Sequence, residues 1–106
     1  SNQITGKSQS TDTANNSKQL SMWTSVNIGY FQVGQTVIVR DSTGTKLLEA
    51  KIIKVGVVDP DRDGTYAITS QSGCVIPSDG KVRIDIDVTG ITYDVNKVVG
   101  GTVKVK

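Results

Sequence analysis

The chain has 106 residues, with 12 basic and 10 acidic side chains, a net charge of +2, no histidine and one cysteine. That length supports one hydrophobic core and no second domain. The lack of histidine excludes the Ser-His-Asp and Cys-His mechanisms and removes the usual zinc ligand, and a lone Cys74 excludes an internal disulfide or a thiolate cage. Acids and bases are interspersed, so no basic stripe of the kind that replaces phosphate counterions is present, and nucleic acid is not an expected partner. No apolar run approaches the roughly 18 residues a membrane helix needs.

The chain opens on Ser1-Asn2 without an initiator Met and is read as a fragment or processed product. From Ser1 to Gln19 only Ile4 and Ala14 are apolar. A segment that polar buries too little surface to offset the entropy of ordering it, so residues 1–20 are expected to be a disordered leader or linker. Asn15-Asn16-Ser17 fits a glycosylation acceptor, a short pattern that arises often by chance. At Leu20-Ser21-Met22-Trp23 the composition changes, and residues 21–106 are expected to form a single all-β domain.

Within that domain Val26, Ile28 and Tyr30 alternate with Asn27, Gly29 and Phe31, as a strand requires. After the turn Val33-Gly34-Gln35 comes the β-branched run Thr36-Val37-Ile38-Val39-Arg40. Asp41-Ser42-Thr43-Gly44-Thr45 has hairpin chemistry, and a long strand returns from residue 46 or 47 to residue 58. A short strand over residues 65–69 follows, then the turn Pro77-Ser78-Asp79-Gly80. The cleanest rhythm puts Val82, Ile84, Ile86 and Val88 on one face and Lys81, Arg83, Asp85, Asp87 and Thr89 on the other. Gly90 bends the chain into Ile91-Thr92-Tyr93, Asp94-Val95-Asn96-Lys97 turns it again, and Val103 and Val105 mark a last strand. The expected fold is a small barrel or sandwich of six to eight short, mostly antiparallel strands.

The sharpest chemical pattern is Asp59-Pro60-Asp61-Arg62-Asp63-Gly64. Carboxylates at alternate positions before a turn glycine match the first half of a calcium loop, with Asp59, Asp61 and Asp63 as oxygen donors and the Thr65 carbonyl as the next ligand. The bidentate acid of the twelfth loop position is absent, since Ser70 stands there. The competing reading is a solvated turn. Asp85 and Asp87 lie on one strand face about 7 Å apart, a spacing used in sugar hydrolysis, but alternating polar positions on a wet face are routine and Arg83 beside them suggests ion pairs. Cys74 reads as a small buried residue, because no base to activate it is identifiable. The five aromatics are too few for a stacking platform as well as a core, and Trp23 is expected to pin the first strand to the core.

Four stretches resemble a family of short bacterial single-pass membrane proteins of unknown function with a small extracytoplasmic β domain. They are Val33-Gly34-Gln35-Thr36-Val37-Ile38-Val39, Ala50-Lys51-Ile52-Ile53-Lys54-Val55, Asp85-Ile86-Asp87-Val88-Thr89-Gly90 and Val99-Gly100-Gly101-Thr102-Val103-Lys104-Val105. The resemblance implies an extracytoplasmic location, an anchor in a segment before Ser1, and no activity or site residues.

Two functions are expected from different classes. The first is a non-catalytic extracytoplasmic or structural module that contacts another protein. The alternative is a calcium-stabilised binding module, for glycans among others, built on Asp59, Asp61 and Asp63. A calcium site in the folded state must raise the melting temperature, because a ligand that binds only the native form stabilises it. Melting with millimolar calcium against chelator is therefore expected to separate the two: a rise of several degrees supports the ion, and a change under about one degree removes it.

Overall fold

The computed structural model describes residues 2–24, 31–58, 66–68 and 81–106. Seven strands are found in the order β1 (Asn2–Asp12), β2 (Ser17–Thr24), β3 (Thr36–Arg40), β4 (Lys46–Val58), β5 (Tyr66–Ile68), β6 (Lys81–Asp87) and β7 (Thr102–Val105), with a 3-10 turn at Val95–Lys97. Every pairing is antiparallel. The chain is all-β, as its two-residue rhythm requires, and no helix among the described residues is long and apolar enough to cross a membrane.

The pairings close on themselves. The hydrogen-bonded order is β3-β7-β1-β2-β6-β4-β5, and β3 also pairs with β4. Six strands therefore form a ring, with β5 added beside the end of β4. Two strands change partners along their length. β4 pairs with β3 through residues 46–51 and with β6 through residues 52–58, and its register slips between Ile52 and Lys54. β1 pairs with β7 through Asn2 and Gln3 and with β2 beyond, and its register slips between Ile4 and Gly6. A bulge bends and twists a strand. Here one bulge lies where each partner-switching strand turns the corner of the barrel.

The interior is filled by inward-facing residues of the six ring strands. Leu20 and Met22 of β2, Val37 and Val39 of β3, Ile52 of β4, Val82, Ile84 and Ile86 of β6 and Val103 of β7 are fully buried. Val88 and Val98 join them from the loops. Among the described residues the exposed large apolar side chains are Val33, Ile53 and Val99.

The expectation of a disordered leader over residues 1–20, with the domain beginning at 21, is corrected here. Residues 2–12 form β1, a full partner of β2 in the ring. The stabilisation comes from the backbone ladder and from one side chain, Ile4, which is 1% exposed. The turn at residues 13–16 is set by Asp12, whose carboxylate accepts from the Ala14 N–H at 3.1 Å, the Asn15 N–H at 3.3 Å and the Asn15 side chain at 2.7 Å. Asn16 takes the left-handed backbone (φ 50°) that Asn tolerates. The bond from the Asn15 side chain, with the turn N–H groups, holds the Asp12 carboxyl below its ordinary range.

The turn expected over Asp94-Val95-Asn96-Lys97 is present, and one further expectation changes. Val95–Lys97 is a 3-10 turn capped by Asp94, whose side chain accepts from the Asn96 N–H. Trp23 does not pin the core: it stands half-buried on the outer face of β2, over Gly6. The strand expected through Val26, Ile28 and Tyr30 lies outside the described residues.

Removing residues 1–12 is expected to open the ring. Circular dichroism melts of the shortened chain should lose the cooperative transition or fall by at least about 10 °C, where a dispensable linker would leave the melt unchanged. A second test concerns Gly101. A Cβ there would run into the Arg40 carbonyl, at the seam between β7 and β3. Gly101→Ala should cost about 3 kcal/mol through overpacking against backbone. Gly44→Ala, at φ +89° in open space, should cost only about 1 kcal/mol of backbone strain. Denaturant melts giving equal losses for both would contradict this packing.

Candidate functional site

The calcium-loop residues Asp59, Asp61, Asp63 and Thr65, together with Ser70 and Cys74, lie outside the described residues. Among the described residues no three acidic or thiol side chains gather closely enough to hold a metal ion.

Asp85 and Asp87 share the outer face of β6, as their spacing predicts, but each carboxylate is engaged. Asp87 accepts from the Thr89 hydroxyl at 2.6 Å and the Thr89 N–H at 3.0 Å, and the hydroxyl bond chiefly holds its carboxyl below the ordinary range. It therefore stays ionised and cannot act as a general acid near neutrality. Asp85 is only 3% exposed despite facing outward. Its oxygens accept from Arg83 Nε at 3.0 Å and from Arg83 Nη2 at 3.4 Å, and Nη2 also reaches the Ser21 hydroxyl at 3.2 Å. The same guanidinium stacks over the Trp23 ring, 5.3 Å from its centroid. An arginine fork suits this role, since it can satisfy a carboxylate and lie flat on an indole together. The sequence suggests a wet cross-strand ion pair. The structure has a covered same-strand pair opposite the β4 bulge.

Two surface grooves stand out among the described residues. The first, about 440 Å³, runs over the outer face of β3 and β7 between Ile38, Arg40, Thr102 and Lys104, and is bounded by Asp41 and Gly100. Its acid is already satisfied. Asp41 accepts from the Thr43 hydroxyl at 2.6 Å and from the Thr43 and Thr45 N–H groups, and the hydroxyl bond is the chief reason its carboxyl is held low. This is a hairpin loop closing on itself.

The second groove, about 360 Å³, lies between the tip of the β1–β2 hairpin and residues 88–95. Register fixes its geometry. Gln9 pairs with Leu20 and Thr11 with Lys18, so Gln9 and Thr11 share the face on which Leu20 is fully buried. Ile91, Tyr93 and Val95 form the opposite wall. Tyr93 is half-buried, and its Oη is buried with no hydrogen-bond partner. Burial raises its phenol above the ordinary range, so it remains a neutral donor. An unpaired buried hydroxyl costs on the order of 1–3 kcal/mol.

The hairpin's two edges differ. On β2, Lys18 donates its N–H to the Thr89 hydroxyl at 3.0 Å and its carbonyl accepts from the Val88 N–H at 3.0 Å. Lys18 thus turns its backbone away from β1, and strand alternation turns the backbone of Lys7, Gln9 and Thr11 away from β2 in the same way. On that outer side β7 meets β1 only at Asn2 and Gln3, with Gly100 and Gly101 bonding Ile4. Among the described residues no strand covers the edge from residue 7 to residue 11. Sequence reasoning missed this edge because it read the segment as unstructured. The signal available was the Asp12 to Asn16 turn chemistry, which makes a hairpin of the flanking residues. No family model, curated protein or solved structure matches the chain.

Proposed function

We propose that the domain is a non-catalytic structural module that presents a β surface to another protein. The observation that carries this reading is the edge of β1 from residue 7 to residue 11, which no strand covers among the described residues. Closed barrels have no edges to offer, and an open one is a natural surface for another chain. The pairing of the buried Asp85 with Arg83, and the bonds that hold Asp87 to Thr89, support a non-catalytic role. The resemblance of four stretches to bacterial extracytoplasmic β domains supports a location outside the cytoplasm, with an anchor before Ser1. A calcium-stabilised binding module is the alternative, supported by the spacing of Asp59, Asp61 and Asp63.

The test is site-specific photo-crosslinking of the full chain in cells of its source. A reactive side chain at Gln9 should give a discrete, reproducible adduct with a protein. The same group at Val33, exposed on a turn, should not. Equal labelling from both positions, or reproducible turnover of a small molecule by the isolated chain, would overturn the reading.

A further inference from the structure

Four observations converge on the tip of the first hairpin. The backbone N–H and C=O groups of Lys7, Gln9 and Thr11 face outward, with no strand beside them among the described residues. The groove lies on the same face as the Gln9 side chain. Its wall holds a phenol hydroxyl with no partner. Finally, Lys18 lines the groove and Lys7 shares its face of the hairpin, while no carboxylate lines it among the described residues. Three acids adjoin lining residues in sequence, Asp12, Asp87 and Asp94, and each accepts hydrogen bonds within its own turn.

Resting on the protein-contact reading above, we infer that β1 takes an extended acidic peptide segment of a partner protein as an additional strand. Residues directly opposite in neighbouring strands put their side chains on one face. The peptide residue opposite Gln9 therefore points into the groove, against Ile91, Tyr93 and Val95. Its neighbours two positions away lie on the same face, about 7 Å to either side, within reach of Lys7 at one end and Lys18 at the other. The occupant is thus an apolar residue flanked at alternate positions by acids, held by main-chain bonds and selected by side chains. A basic or proline-broken segment is rejected, the first by charge and the second by its missing donors.

The probes are three synthetic heptapeptides: Thr-Glu-Thr-Val-Thr-Glu-Thr, its counterpart with Lys for both Glu, and a version with Pro beside the Val. Each is added at millimolar concentration to the full chain, and amide exchange is read residue by residue. The acidic peptide should slow exchange at Lys7, Gln9 and Thr11 by about tenfold or more, and the other two should not. Gln9→Pro removes one outward donor at a position where an edge strand tolerates proline. It should abolish protection while leaving the melt close to that of the parent chain. Should that variant fail to fold, Lys7→Glu with Lys18→Glu tests the same face, and its preference should invert toward the Lys peptide.

Free-rate exchange of the three amides with the acidic peptide overturns the inference. So does protection that survives Gln9→Pro, or protection of the chain alone that rises with its own concentration, since a second copy would then be the occupant. A Gln9 crosslink to a protein without peptide protection leaves the contact role standing and removes only the strand-addition mode. Loss of both results removes the two together.

Discussion

The barrel depends on what Ile4 does in three directions. Its side chain is 1% exposed and belongs to the core. Its N–H donates to the Gly101 carbonyl at 3.0 Å, and its carbonyl accepts from the Gly100 N–H at 3.1 Å. Across the strand it stands opposite Thr24 of β2. One residue thus couples β7, β2 and the interior. Immediately after it the bulge releases β1 from β7 and carries it along β2 alone. Burying an isoleucine contributes about 2 kcal/mol, and the ladder on both sides fixes the backbone that presents it. Gly101 is needed at the same joint because the β3 backbone passes where a Cβ would stand.

This joint explains which parts of the fold were legible in the sequence. β3 and β6 follow the apolar alternation closely, and β4 runs from Lys46 to Val58 as expected. In each of them alternate side chains must reach a shared interior, and period two records that need. β1 contributes one inward apolar residue, so it carries almost no periodic signal. Its order derives from backbone bonds to a neighbour that is itself anchored by Leu20 and Met22. Side-chain patterning is blind to that source of stability. Only the turn chemistry around Asp12 and Asn16 carried it. Ring closure was not legible either, because β7 meets β3 and β1, and β6 meets β2, through long-range pairings that no local window contains.

The outer face of β2 and β6 departs from the sequence in a different way. Alternation placed Arg83 and Asp85 correctly, away from the core, but facing outward is not the same as being wet. Asp85 is as buried as most of the interior. A charge in that position is tolerable only when paired and hydrogen-bonded, and removing one partner typically costs about 3–5 kcal/mol. Arg83 supplies the charge, Ser21 accepts from the same guanidinium, and Trp23 covers its face. The indole expected in the core thus serves an ion pair on the opposite side of the strand. The pair also faces the bulge between Ile52 and Lys54, where a one-residue slip would place Asp85 against the apolar interior. A buried charge at such a point disfavours the wrong register more strongly than it stabilises the right one.

An uncovered edge is ordinarily a hazard, since a flat apolar one pairs with any strand it meets. The edge from residue 7 to residue 11 avoids that by composition. Its residues are Lys, Ser, Gln, Ser and Thr, and none offers an apolar face to a chance neighbour. The bulge before Gly6 limits its length, and Lys7 repels basic segments. The polarity that made the segment look disordered is therefore what lets a folded edge stay open without aggregating. An edge so protected has little general stickiness. On the proposed reading, firm attachment of a partner would require a side-chain match in the neighbouring groove, and selectivity would follow from the weakness of the backbone contribution taken alone.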